Sequence, residues 1–515
     1  MSSKKLINRF TQLSSDSPWV IIIIFSVLGL VGIINHAMWR DELNPWLIVR
    51  DSASFGELIN NIRYEGHPVL WYFSLAVIRM IADTPVIMQI FHLSITILAI
   101  ILFWLYSPFN YLQKLIFTFG YFPFYEYLLI SRNYAFSLLF VFAFCAVFPS
   151  RKKTYLYLAI LLGLLANSSA YALLVALSLS LTLLVEFCFD REHRQQYIHQ
   201  SKKYDLFLSI SIIIFAFILS ILTITPPPDS YLHGGLDNGW LLQLDLRHFL
   251  RSISRLFGTY FLIVPHKRWL DLIVCSLIVI FICVLTVIRL SKKPFSVFLF
   301  VTGNLILLTF TYLRFAGHTR HFGHFCLVLI AALWLGRYYY ESDFIINKFR
   351  ITEKLFMWGH KWQNIALMLI LYAQLLGGIY GFARDIIIPF SASRETANYI
   401  KKENLNDEFI VASRDANMAA LSGYLNRKLY YPELKDLGSY TLFKSGRKPV
   451  EQGEVLEQIN ELLKNPNNKN RILLILNKKL ALNHENLQIV PIQTFKISWV
   501  DSERYYLYWV SKVNN

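Results

Sequence analysis

Residues 18–36 read PWVIIIIFSVLGLVGIINH. No Asp, Glu, Lys or Arg interrupts them, and Pro18 sits where a helix begins. A helix of that length spans roughly 28 Å, about the thickness of a bilayer's hydrocarbon layer. The preceding MSSKKLINRF is basic, and no small-residue cleavage motif follows the apolar run. The segment therefore reads as a signal anchor that stays attached.

Similar runs recur at 86–106, 112–130, 132–149, 153–166, 169–189, 205–225, 269–290, 294–313, 322–340 and 364–382. Within its 515 residues the chain is 55% hydrophobic, 16% aromatic and only 16% charged. An ordinary soluble domain carries about a quarter charged residues. The fold class this predicts is an α-helical polytopic membrane protein with about 11 to 13 transmembrane helices. Cys145, Cys188, Cys275, Cys283 and Cys326 lie inside apolar runs without CxxC spacing, so they read as small buried hydrophobes.

The net charge of +16 does not point to nucleic acid, because most basic clusters sit in short loops between apolar runs. If Lys4, Lys5 and Arg9 are cytoplasmic, residues 37–67 lie outside. The segment 68–82 is short and carries Arg79. If it lies at the outer interface without crossing, the clusters at 151–153, 191–203, 289–293 and 348–361 all fall inside, as the positive-inside rule requires. The outer side then collects Asp41, Glu42, Glu65, His67, Arg132, the ANSSAY turn at 166–171, a loop at 226–268, and RFAGHTRHFGH at 314–324. The tail follows on the same side.

Two domains are expected: a transmembrane domain at 1–390, with outer loops at 37–67 and 226–268, and an extramembrane α/β domain at 391–515. In the tail, EFIVAS, KLYYPEL, RILLILN, LQIVPIQTF and RYYLYWV read as strands, and ANMAALSGYLN and VEQGEVLEQINELLKN as helices. IIIPFSASRE is the hinge.

Ionisable groups beside hydrocarbon are costly, so their gathering on one face marks a site. Each has a plainer reading. Asp41-Glu42 could be a polar loop, Arg132 a snorkelling anchor, and His318, His321 and His324 interfacial polar residues. In 244–257, LDLRHFLRSISRLF, residues His248, Arg251 and Arg255 repeat at i, i+3, i+7, which is a basic amphipathic helix. It could anchor at the interface or clamp a lipid phosphate. No spacing gives a strong zinc signature.

Taken together, the DE of Asp41-Glu42, the HPVLWYF of 67–73, and Ser131-Arg132 followed by Asn133 and Tyr134 resemble the GT-C superfamily of membrane glycosyltransferases. These include the protein O-mannosyltransferases and the lipid A aminoarabinose transferases. Val69 stands where the family's HPPL element has its second proline. The resemblance covers the first 150 residues by motif and the rest by architecture. It implies an inverting transferase that moves a sugar from a polyprenyl-phosphate carrier to an acceptor lipid, glycan or protein at the outer face of the membrane. It further implies Asp41 as general base, with Glu42 supporting it or ligating a metal. The substrate-binding set it suggests is Glu65, His67, Arg132, Tyr134, Arg251, Arg255, Arg314, His318, Arg320 and His321. One carboxylate suffices for such chemistry, since phosphate is already a good leaving group and cations can receive its charge. His248, His266, Lys267 and Arg268 add to the basic candidates. No cofactor is certain. A divalent metal at Glu65 and His67 is possible. The location expected is a bacterial inner membrane, with the site and tail domain in the periplasm. The alternatives are a transporter or flippase of a lipid-linked sugar, a polysaccharide ligase or polymerase, and a relative that binds without catalysing.

Overall fold

The computed structural model describes residues 17–230, 245–265, 268–315, 317–445, 447–464 and 470–513. Lys4, Lys5, Arg9, His266, Lys267 and much of the 226–268 loop lie outside them.

The protein is mostly helical, with a small C-terminal sheet domain. Eight of its helices are long and apolar enough to cross a membrane: Pro18–Asn35, Pro85–Tyr106, Tyr134–Lys152, Ala170–Phe189, Asp205–Ile224, Trp269–Leu290, Pro294–Leu313 and Glu353–Ile387. Three open with proline in the first turn, where its missing N–H costs nothing. The sequence predicts eleven spans, and the remaining three are short or broken. Leu156–Ala166 and Thr319–Leu335 are short apolar helices. The predicted 112–130 span is an α-helix, Tyr111–Thr118, followed by a π-helical turn, Tyr121–Glu126. Glycines on the Glu353–Ile387 helix make room for that turn. A β-carbon on Gly378 would strike the Phe119 carbonyl oxygen. Of the five cysteines, Cys145 and Cys326 are buried as expected, whereas Cys188 is exposed.

The loops separate to two ends of the bundle. At one end Arg151 pairs with Glu186 at 2.9 Å, and Lys293 bonds the Tyr339 carbonyl. The other end carries the first loop, the 166–171 turn and the sheet domain. The segment 68–82 forms a ten-residue helix, Leu70–Arg79. Its first N–H meets the Asn167 carbonyl, and Arg79 bonds the Val49 and Arg50 carbonyls. Both its ends are thus held at the sheet-domain end, and it does not traverse the bundle.

The sheet has the order β3-β2-β1-β4-β6-β5, with β1 (Ile410–Ser413), β2 (Leu429–Tyr431), β3 (Asp436–Gly438), β4 (Arg471–Leu476), β5 (Leu487–Phe495) and β6 (Tyr505–Lys512). β2, β1 and β4 run parallel, and the other pairings are antiparallel. The continuous apolar run of β4 follows from burial on both faces. Leu473 and Ile475 pack with Met418 and Leu421 of the Asp415–Leu425 helix, while Ile472 and Leu474 pack with Val455 and Ile459 of the Gln452–Lys464 helix.

This domain sits directly on the first loop, which folds into the helices Arg40–Asp51 and Phe55–Ile62. The Met38 N–H donates to the Tyr424 hydroxyl at 2.7 Å, and Asn44 exchanges two hydrogen bonds with the Thr441 backbone. The Arg40 N–H donates to Glu503 at 3.0 Å. A segment after β3 continues over the loop, where Asn61 meets Tyr440 and the Ser445 N–H reaches the Asp229 carbonyl.

Candidate functional site

Asp41 and Glu42 are adjacent on a helix, so their side chains diverge by about 100°. Only one of them keeps access to solvent, and that one is Asp41. The Glu42 carboxylate is fully buried. It accepts from the Trp39 N–H at 3.2 Å, from the Ser131 N–H at 2.7 Å and from His36 Nε2 at 2.8 Å. The other nitrogen of His36 meets Asp385 at 2.6 Å. With a carboxylate on each nitrogen, His36 serves as a doubly donating imidazolium between two anions. Of the two roles expected of Glu42, this geometry fits the supporting one and not a catalytic or metal-ligating one, because the carboxylate has no contact with open space. It caps the helix that carries Asp41 and holds the Ser131 backbone beside Arg132.

Asp41 keeps a side chain 23% exposed and lies 3.1 Å from both Arg132 and Arg320. Arg132 is buried, which sets aside the snorkelling reading. Its Nη1 also donates to the Asp41 carbonyl at 2.7 Å, and its Nη2 donates to His67 Nε2 at 3.0 Å. One guanidinium thus fixes both ends of the first loop. Burial alone would raise the Asp41 carboxyl. Arg132, then Arg320 and Arg40, outweigh it and hold Asp41 below the usual carboxylate range. His67 is pushed down to about 3, by burial first and then by Arg132 and Arg320. It is neutral, with its proton on Nδ1 as the Arg132 bond requires. Glu65 is pushed up to about 7 by burial, against the lowering effects of Arg132 and the hydrogen bond from Asn44. Asn44 donates to it at 3.0 Å and the Tyr72 hydroxyl at 3.4 Å.

His321 completes the wall. Its Nδ1 accepts from the His318 N–H at 2.9 Å, so its Nε2 donates to the Tyr134 hydroxyl, also 2.9 Å away. His324 turns away and is buried against Ser137.

Three cavities converge here. The largest, about 600 Å³, has a polar end of Glu65, His67, Tyr134, Arg320 and His321, with Arg314 on its wall. Its long side is apolar: Leu173, Leu174, Ile221, Ile224, Phe310 and Phe315. A second of about 510 Å³ is lined by Arg251, Arg255, Arg247 and His248, so Arg251 and Arg255 do not reach the first. His318 borders both, and Arg255 donates to the Gly317 carbonyl at 3.2 Å. A third, about 240 Å³, lies under the sheet domain.

The donor set does not suit a metal. Glu65 is committed to Asn44 and Tyr72, and the His67 lone pair accepts from a cation. No cluster of three or more His, Cys, Asp or Glu able to hold a metal occurs among the described residues. Sequence reading missed His36, Asn44, Glu126, Asp385 and Glu503. Glu126 and Asp385 could have been flagged as lone acids in apolar runs. The others carry no such signal.

Chemically, the arrangement is an amphiphile site: an apolar trough ending at Arg320, with the Glu65 carboxyl on its wall and the partly exposed Asp41 carboxylate paired to that arginine. Comparison with protein-family models, with curated proteins and with solved structures finds no match to this chain.

Proposed function

We propose that this protein is an inverting glycosyltransferase using a polyprenyl-phosphate sugar. The observation that carries this reading is the 600 Å³ cavity, whose apolar side runs into Arg320 and His67 beside the Asp41–Arg132 pair. A polyprenyl chain suits the trough, and its phosphodiester suits the two guanidiniums. In the transfer the acceptor oxygen bonds the anomeric carbon while the bond to phosphate oxygen breaks. The electron pair goes to the phosphate, which gains one negative charge and is stabilised by Arg132 and Arg320. The acceptor proton goes to Asp41.

The arginines that depress Asp41 also regulate it. A phosphate seated on them offsets their charge, so Asp41 becomes more basic when the donor is bound. Glu65 is the second candidate base, because it lines the same cavity and titrates near 7. The motifs DE, HP and SR support the GT-C assignment, and basic loops at the far end support a sheet domain on the non-cytoplasmic face, which in a bacterial inner membrane is the periplasm. A transporter fits less well, since the three cavities open near one end of the bundle.

The test is transfer from a panel of radiolabelled polyprenyl-phosphate sugars to membrane extract by purified protein. Wild type should transfer and Asp41→Asn should not. Full activity in Asp41→Asn with loss in Glu65→Gln moves the base to Glu65. No transfer with any donor removes the enzyme reading.

A further inference from the structure

The third cavity, about 240 Å³, is built from three parts of the chain. Tyr121, Tyr125 and Glu126 come from the π-helical turn. Trp499 and Val500 come from the sheet domain. Trp39, Arg132 and Arg320 are shared with the Asp41 cluster. Trp39 Nε1, the Tyr125 hydroxyl and Arg320 Nε are shielded from solvent, yet make no hydrogen bond within the protein. Tyr125 is 2% exposed. Three buried donors without acceptors in one wall are a standing desolvation cost, and because they are closed to water, a ligand's oxygens reach them when the wall's side chains give way on binding. An acceptor group stands opposite them: Tyr121 donates to one oxygen of Glu126 at 2.7 Å, which leaves the other for a ligand hydroxyl.

This pattern selects a ligand class. Its groups must accept from three donors and also donate to a carboxylate, as the hydroxyls of a sugar ring do. Its body must be flat and apolar enough to lie among Tyr, Trp and Phe rings. A peptide is a poor fit, because no strand edge lines the cavity. A polyanion would meet Glu126.

We propose that this cavity is the acceptor subsite and that it takes the terminal sugar of a glycan, making the acceptor a carbohydrate. This rests on the transferase reading. Arg320 lines both this cavity and the amphiphile cavity and pairs with Asp41 at 3.1 Å, so an acceptor and a donor phosphate seated in the two cavities adjoin one carboxylate. The sheet domain then acts as the acceptor's gate, because Trp499 is its contribution to the wall.

Saturation-transfer NMR on the full chain in detergent tests this, with methyl glycosides of glucose, galactose, mannose and N-acetylglucosamine and a serine-threonine peptide as probes. At least one glycoside should bind saturably and the peptide should not. Tyr125→Phe, which removes one oxygen, should weaken binding about fivefold. Trp499→Ala should weaken it more. In the transfer assay both should raise the acceptor KM and leave the donor KM unchanged. Absence of saturable glycoside binding overturns the proposal, as does peptide binding in the glycosides' place or equal affinity in both variants. If glycoside binding responds to the variants while wild type transfers nothing, the sugar site stands and the transferase reading alone falls.

Discussion

Replacing Glu42 with Gln separates the two adjacent acids. Glu42 Oε2 receives the Trp39 N–H and His36 Nε2, and Oε1 receives the Ser131 N–H. A glutamine offers one carbonyl oxygen and one NH2 group. Whichever way it turns, a donor faces a donor, and His36 loses one of its two counter-charges. Charge-assisted bonds contribute about 1.5–3 kcal/mol each, and breaking a buried ion pair costs about 3–5 kcal/mol. For a chain of this size, that corresponds to a melting temperature lower by about 4 °C. Asp41→Asn behaves oppositely. Arg132 is buried and loses its counter-charge, but Asp41 is 23% exposed and an Asn oxygen still accepts from the guanidinium, so the stability cost is about 1–3 kcal/mol. Its loss as general base lowers transfer by about 10²–10⁴-fold.

The assay is thermal unfolding in detergent, followed by tryptophan fluorescence, run beside the transfer assay at a temperature where every variant is folded. The expected pattern is a strongly destabilised Glu42→Gln that keeps most of its transfer, and a less destabilised Asp41→Asn that has lost it. A Glu42→Gln protein that melts with wild type yet cannot transfer would refute the structural role assigned to Glu42.

Stability against pH should expose two opposed titrations. Folded His67 titrates near 3 against 6.5 unfolded, so its stabilisation is complete above 6.5 and is lost as pH falls toward 3. Folded Glu65 titrates near 7 against 4.5 unfolded, so its stabilisation is complete below 4.5 and is lost as pH rises toward 7. Between 4.5 and 6.5 the slopes, up to about 1.4 kcal/mol per unit each, cancel. Glu65→Gln should therefore lose stability on acidification across that window relative to wild type, measured by chemical or thermal unfolding, and parallel curves would contradict the assignment. Arg132→Lys should lower transfer about 100-fold or more, since one ammonium cannot span the Asp41 carbonyl, the Asp41 carboxylate and His67 as the fork does; wild-type transfer by Arg132→Lys would show that the fork is not needed. Gly378→Ala should destabilise by about 1–3 kcal/mol despite alanine's better helix propensity, because its β-carbon meets backbone at Phe119 and Gly120 that cannot swing aside. A melting point at or above wild type would mean the π-helical turn can shift.

How much of this was legible in the sequence depends on the range of the interaction that decides each feature. The apolar runs and the strands of the tail are local patterns, and hydropathy locates them within a few residues. β4 reads as a strand because RILLIL is short, apolar throughout and covered on both faces. The π-helical turn is not legible, because YFPFYE looks like the rest of its span and only the glycines some 250 residues later make room for it. The site divides the same way. Asp41, His67 and Arg132 stand out as polar groups at the edges of apolar segments, and the fold does bring them together. Which of two neighbouring carboxylates keeps access to solvent is set by helix phase, and that phase is fixed from far away. Asp385 engages His36, Thr441 engages Asn44, and Glu503 takes the Arg40 N–H. The sheet domain is therefore part of the reason Asp41 points where it does. It reaches the Asp41 helix at Met38, Arg40 and Asn44 and supplies Trp499 beside the same cluster, so the geometry at Asp41 depends on docking as well as on the bundle. A site assembled this way cannot be divided into a catalytic membrane part and an accessory tail. Cutting the chain at the hinge would remove the partners of the first loop together with one wall of the smallest cavity.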